Sequence, residues 1–389
     1  MYNQPPSATE TGRSMRDQHL PPASDFYAWD DDLGETPRGS VLRSEPLEGA
    51  LGVPGAHRAV RLLYATVGHD GRPVAVSGVL YLPAGAAPAT GWPVVSYAHG
   101  TVGIIPEAAP SLRPMAEVLG HPVCGSTPRF LDAGYAVVCT DYEGLGAAGP
   151  HPYLHGPSLA ASQIDAVRAA RETHPECSAT WVAVGQSEGG LATLFTAAEA
   201  TGVAPELDYR GAVATAPPTE WDTLSAATSD FGRILTPLVL HAASYHDPDV
   251  EIEGWLNADG RVLLDAWRTS YLHEPGTVLA VFAELIGKPL LALGRGEASD
   301  AEAAARLAAT VDFHALEVPR GHYDRPLFLA EGGADEFCVP GTGQRLAEAL
   351  RDAGNTVEYH FYADTGHLDV PYAAIEDSMA FIARLFGDA

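Results

Sequence analysis

The chain has 389 residues, 46% hydrophobic and 19% charged, enough for one large core or two smaller ones. Fifty Asp and Glu against 23 Lys and Arg give a net charge of −27, which argues against nucleic acid or an anionic membrane surface as a partner. No apolar run reaches the roughly 18 residues of a membrane span, so no stable membrane insertion is expected. Residues 1–38 are rich in Pro, Ser, Asp and Arg and lack periodicity, which predicts a partly disordered surface arm. Its first 25 residues hold no apolar core of a signal peptide, which predicts a cytoplasmic protein, or a secreted one if a leader has been removed.

From Val60 the pattern changes. Residues 60–67 and 73–82 are strand-like and flank the turn-forming His69-Asp70-Gly71-Arg72, predicting an antiparallel hairpin. Residues 93–98 predict a buried strand that runs into His99-Gly100-Thr101, and residues 135–140 another that runs into the Gly-rich 141–146 loop. A helix is predicted over 157–173, with Leu159, Ile164, Val167 and Ala170 on one face. The strand 180–184 then meets Gly185-Gln186-Ser187-Glu188-Gly189-Gly190, followed by helical composition over 191–200. Strand, Gly-x-Ser-x-Gly turn and helix in that order form the nucleophile elbow of α/β-hydrolases. The turn strains the serine backbone, so its neighbours must be nearly free of side chains. The helix start would aim free N–H groups at an oxyanion beside Ser187.

After a strand at 211–216 the alternation stops. Residues 221–320 contain four helical stretches, 235–245, 262–271, 278–286 and 301–309, and predict a helical cap, or lid, over the site. The remaining core, 39–220 and 321–389, resumes with a strand at 326–330, a helix over 342–353, a last strand at 357–362 and a closing helix over 371–386. Strands alternating with helices predict a mostly parallel sheet, the α/β class.

Three loops supply a triad in the required chain order: nucleophile Ser187, acid Asp335 and base His367. Glu336 adjoins Asp335, but successive side chains diverge, so only one can face the site, and Asp335 is the expected acid. The backbone N–H groups of Thr101 and Glu188 are the expected oxyanion donors. Asp369, two residues before Pro371, reads as a helix cap. His151 and His155 share the i, i+4 spacing of a zinc pair, but Pro152 and Gly156 interrupt a helix there and no HExxH surrounds them, so no metal and no cofactor are expected. Cys124, Cys139, Cys177 and Cys338 form no CxxC pair, with a Cys124 disulfide left open.

The segments Ala98-His99-Gly100-Thr101, Thr140-Asp141-Tyr142-Glu143-Gly144-Leu145-Gly146 and Gly185 to Gly190, the Asp335 loop ending in Val339-Pro340, and Thr365-Gly366-His367 together resemble the secretory lipase family, from about Asp25 to the C-terminus. The resemblance implies the Ser–Asp–His order, the helical cap after the elbow and ester cleavage through an acyl-enzyme. Glu188 stands where the family has a small residue, which suggests a carboxylate near the mouth of the acyl pocket. The expected substrate is therefore a small-molecule ester with a short acyl chain or an acetyl group. Acyl transfer to an alcohol, or ligand binding without catalysis, are the alternatives.

Overall fold

The computed structural model describes residues 20–47, 53–113, 122–220, 229–292 (apart from 231, 248, 273, 275 and 276) and 317–387. Nine strands form one sheet: β1 (Val41–Pro46), β2 (Arg58–Val67), β3 (Pro73–Leu82), β4 (Trp92–Ala98), β5 (Ala136–Thr140), β6 (Cys177–Gln186), β7 (Asp208–Thr215), β8 (Leu327–Gly332) and β9 (Val357–Tyr362). Their spatial order is β1-β2-β3-β5-β4-β6-β7-β8-β9. The first three strands and the β3–β5 pair are antiparallel. Every pair from β5 onward is parallel, with Val184 level with Tyr97 on one side and Val213 on the other.

Parallel strands buried on both faces require apolar residues at every position. The nucleophile strand meets this: Trp181 and Ala183 enter one core cluster, Val182 and Val184 the other. Helices α2 (Gly156–Thr173) and α3 (Glu188–Val203) supply the first cluster through Ile164, Val167, Leu191 and Leu194. The opposite cluster takes Phe130 and Leu131 from α1 (Pro122–Asp132), and Phe381 and Ile382 from the C-terminal helix. This is the α/β-hydrolase fold.

The antiparallel start has one strand more than the hairpin read from the sequence. β1 carries Arg43, Ser44 and Glu45, the charged pattern of an edge strand, so its apolar periodicity is weak. Within the stretch expected as an arm, residues 20–38 lie against the body. Tyr27 is fully buried with its hydroxyl 2.8 Å from Ser111 Oγ, and Ala23 N–H donates to Gly146 O at 2.9 Å.

Between β7 and β8 the described chain is helical: α4 (Thr236–His246), α5 (Ile252–Trp255), α6 (Ala258–Thr269) and α7 (Val278–Leu285). A lone bridge, Leu256 to Leu291, ties this segment together. The helix expected at 301–309 lies outside the described residues. The segment touches the loop after β4, where Leu272 N–H donates to Val102 O at 2.8 Å. After β8 come α8 (Thr342–Asp352), α9 (Val370–Ala373) and α10 (Ile375–Phe386). The closing helix is thus divided at Ala374, although i to i−4 hydrogen bonds continue across it, Ala374 N–H to Val370 O and Ser378 N–H to Ala374 O. Cys139, Cys177 and Cys338 are free thiols, and the Cys124 side chain lies outside the described set. Among the described residues no helix is long and apolar enough to cross a membrane.

Candidate active site

β6 ends where the chain must turn at once into α3, and Ser187 takes the bend with φ 55° and ψ −120°. A non-glycine residue there is held at a cost of about 1–3 kcal/mol by its surroundings. The surroundings are visible: Ser187 N–H donates to Thr215 O at 3.0 Å, and Leu191 N–H to Ser187 O at 2.9 Å. A side chain at Gly185 would strike the Gly189 carbonyl, and one at Gly189 would strike the Ala98 carbonyl. The elbow glycines are therefore required by close backbone approach, to α3 and to the end of β4.

The three side chains expected to form a triad come together from three strand ends. Ser187 Oγ lies 2.8 Å from His367 Nε2, and His367 Nδ1 lies 2.8 Å from Asp335 Oδ2. His367 is 3% exposed, with the Phe337 ring 4.8 Å away, so water competes little for these bonds. Asp335 is itself fixed: its Oδ1 accepts from Phe337 N–H at 2.8 Å and Cys338 N–H at 2.7 Å. Glu336 faces elsewhere, its Oε2 accepting from the His367 backbone N–H at 3.3 Å while its carbonyl accepts from Ser229 Oγ at 2.6 Å. One acidic neighbour holds the histidine ring and the other holds its backbone.

The His99–Thr101 loop runs alongside the serine, since a Cβ on Gly100 would stand 3.4 Å from Ser187 Cβ. Tyr142 OH donates to His99 O at 2.8 Å and anchors it. Burial holds the His99 imidazole below its ordinary pKa and raises the carboxyl of Asp141, which accepts from Ser77 Oγ at 2.6 Å and Ser111 N–H at 3.0 Å.

Glu188 departs from expectation. Its side chain does not project toward a pocket mouth. It is 2% exposed, and its Oε1 lies 2.8 Å from His151 Nε2. A carboxylate taken out of water requires a partner, and His151, fully buried, is that partner. Nothing in the local sequence reports this, because His151 lies 37 residues upstream. The signal available was the acidic residue itself, which had to be either exposed or paired.

His151 and His155 have separate partners. His151 also places Nδ1 2.7 Å from Glu143 O, while His155 accepts from Ser158 N–H at 3.2 Å, capping α2, and stacks on His246 at 5.0 Å. The described residues do place ligand atoms of Asp335, Cys338 and His367 within 4.8 Å of one another, a set that could hold a metal, although Asp335 and His367 already bond each other. Asp369 occupies the cap position of α9 but makes no side-chain cap hydrogen bond. Chemically, the arrangement can move a proton from a hydroxyl to an imidazole that a carboxylate orients.

Residues 126–388 match the model of the family described as Secretory lipase. A Mycobacterium tuberculosis protein named "Probable inactive lipase MT1628" is 33% identical over 257 residues, 62% of this chain and 55% of that protein, so the chain spans about half the length of that curated relative. Among solved structures, Candida antarctica lipase A in its closed state aligns with a TM-score of 0.68 at 20% identity, covering 94% of this chain and 86% of that one. The rice cell wall degrading esterase LipA from Xanthomonas oryzae aligns with a TM-score of 0.68 at 20% identity, over 90% and 99% respectively. At that identity the structures establish a shared fold.

Proposed function

The chain belongs to the secretory lipase family, and from that premise we propose that it is a serine hydrolase of carboxylic esters working through an acyl-enzyme. The observation that carries the reading is the continuous Ser187–His367–Asp335 hydrogen-bonded chain, both links 2.8 Å long. Ser187 Oγ attacks the ester carbonyl while His367 Nε2 takes its proton. Asp335 keeps the proton on Nδ1 and stabilises the imidazolium. The Thr101 and Glu188 amides receive the oxyanion. His367 then returns the proton to the leaving alcohol, and water repeats the sequence to release the acid and restore Ser187.

We assign a small soluble ester as substrate. Support for an ester met in solution comes from the net charge of −27, which repels anionic lipid surfaces. The second reading, binding without turnover, is favoured by the name of the Mycobacterium tuberculosis relative, which calls that protein inactive. One experiment separates the two. Wild-type protein is expected to hydrolyse p-nitrophenyl acetate or butyrate and to take up one equivalent of a fluorophosphonate at Ser187. Ser187→Ala should lose about 10⁴-fold or more in kcat and all labelling. A wild-type chain that neither turns over any ester from acetyl to palmitoyl nor labels would establish the binding reading instead. An added alcohol that diverts the acyl group into a new ester would reassign the activity to acyl transfer.

A further inference from the structure

Both expected oxyanion residues are held by one three-residue turn. His151 Nε2 lies 2.8 Å from Glu188 Oε1, and Tyr153 OH lies 2.7 Å from Thr101 Oγ1. The turn is closed on itself, with Tyr153 N–H donating to His151 O at 2.9 Å. His151 and Glu188 are each 2% exposed or less, so water does not replace their bond, and Tyr153 is equally buried against a half-buried Thr101.

Proton accounting explains how an acidic residue stands beside the nucleophile. The Glu143 carbonyl 2.7 Å from His151 Nδ1 can only accept, so Nδ1 carries a hydrogen. The Nε2 to Oε1 contact holds one further proton. On the ring it gives an imidazolium and a carboxylate, on the carboxyl two neutral groups, and in either case the pair has no net charge. A neutral pair can be buried where a lone carboxylate cannot. Tyr142 lies nearly parallel to the His151 ring, at 5.8 Å and 13°, and its hydroxyl donates to His99 O, so the packing continues to the backbone just before Thr101. His241 of α4 donates Nε2–H to His151 O at 2.9 Å, joining the helical segment to the turn.

We propose that the His151-Pro152-Tyr153 turn is a clamp that sets the oxyanion hole, fixing the Glu188 amide through His151 and the Thr101 amide through Tyr153. His151 and Tyr153 are thus positioning residues. The inference rests on the esterase reading above. Oxyanion donors act only if held in place, and a displacement of about 1 Å is enough to cost about 10²-fold in rate.

The test compares wild type, Glu188→Ala, Glu188→Gln and Tyr153→Phe by kcat, KM, melting temperature and affinity for a trifluoromethyl ketone, whose adduct with Ser187 places an oxyanion in the hole. Glu188→Ala should lower kcat about 10–100-fold, leave KM within about threefold, and weaken the ketone by the same factor as kcat/KM. Glu188→Gln, which keeps a hydrogen bond to neutral His151, should recover to within about fivefold of wild type. Tyr153→Phe removes one hydroxyl and should lower kcat about 3–10-fold, deciding the matter if Glu188→Ala does not fold. The clamp alone is overturned if these variants keep wild-type kcat and ketone affinity, or lose only KM or melting temperature. A wild type without ester turnover overturns the esterase reading and the clamp with it.

Discussion

At the residue scale, the site is held by hydrogen bonds between side chains that lie far apart along the chain. Ser187, Asp335 and His367 each lie just beyond a strand end, in the order an α/β-hydrolase needs, and the structure brings their side chains within hydrogen-bond reach. Glu188 was misplaced because its orientation depends on His151, which no sequence period connects to it. The neighbours Asp335 and Glu336 give a sharp comparison. Asp335 Oδ2 alone meets the imidazole, so Asp335→Asn should leave the geometry and lose about 10⁴-fold in kcat through the wrong tautomer, the magnitude known from the trypsin-type triad. Glu336→Gln keeps an oxygen for the His367 backbone N–H at 3.3 Å and should lose less than about tenfold. Steady-state kinetics on the two variants checks this, and equal losses would mean that the acid has been assigned to the wrong neighbour.

At the element scale, strands that run through the core were read within a few residues, because both faces of β4, β6 and β7 are apolar, whereas the core helix α1, with Pro128 inside it, was not read from the sequence. The strands missed or shortened carry charge. β1 escaped notice through Arg43 and Glu45, and β8 was expected to stop at Ala330 because Glu331 looks like a loop residue. Instead Glu331 is 5% exposed at the strand end. It accepts from Gly341 N–H, from Gln344 N–H at 3.0 Å and from Tyr359 OH at 2.7 Å, so it caps α8 and pins β9. Burial and the Glu331 carboxylate together push the Tyr359 hydroxyl pKa up, which keeps it a donor. Glu331→Ala leaves two amides and a hydroxyl without this acceptor and should cost about 2–3 kcal/mol. That should appear in urea titration as a lower midpoint at unchanged slope. A midpoint equal to wild type would show that solvent satisfies these donors.

At the scale of the whole molecule, a histidine cluster joins parts of the chain that no motif or spacing connects. His69 from the β2–β3 turn, His155 at the start of α2 and His246 at the end of α4 meet, with ring centroids 6.1 Å apart for His69 and His155 and 5.0 Å for His155 and His246. The helical segment is therefore fastened to the sheet domain partly by imidazoles. Burial, with His246 and His69 as like-charged neighbours, lowers the His155 pKa to about 4, against the opposing pull of Glu143. Burial also lowers His246. The sign follows from linkage. Between pH 6.5 and about 4 the unfolded chain binds a proton that folded His155 refuses, so stability is full above 6.5 and falls as pH drops through this window. Replacing His246 by Gln removes one source of repulsion, brings the folded His155 pKa closer to 6.5 and should flatten that fall. Glu143, which lies 2.8 Å from His69 Nδ1, limits the effect by attracting the same protons. Carboxylates elsewhere titrate lower in the same range, so the informative quantity is the difference between variant and wild type. From pH 7 to 4 the melting temperature of the variant should fall less than that of wild type, and parallel curves would remove the cluster as the source of acid sensitivity.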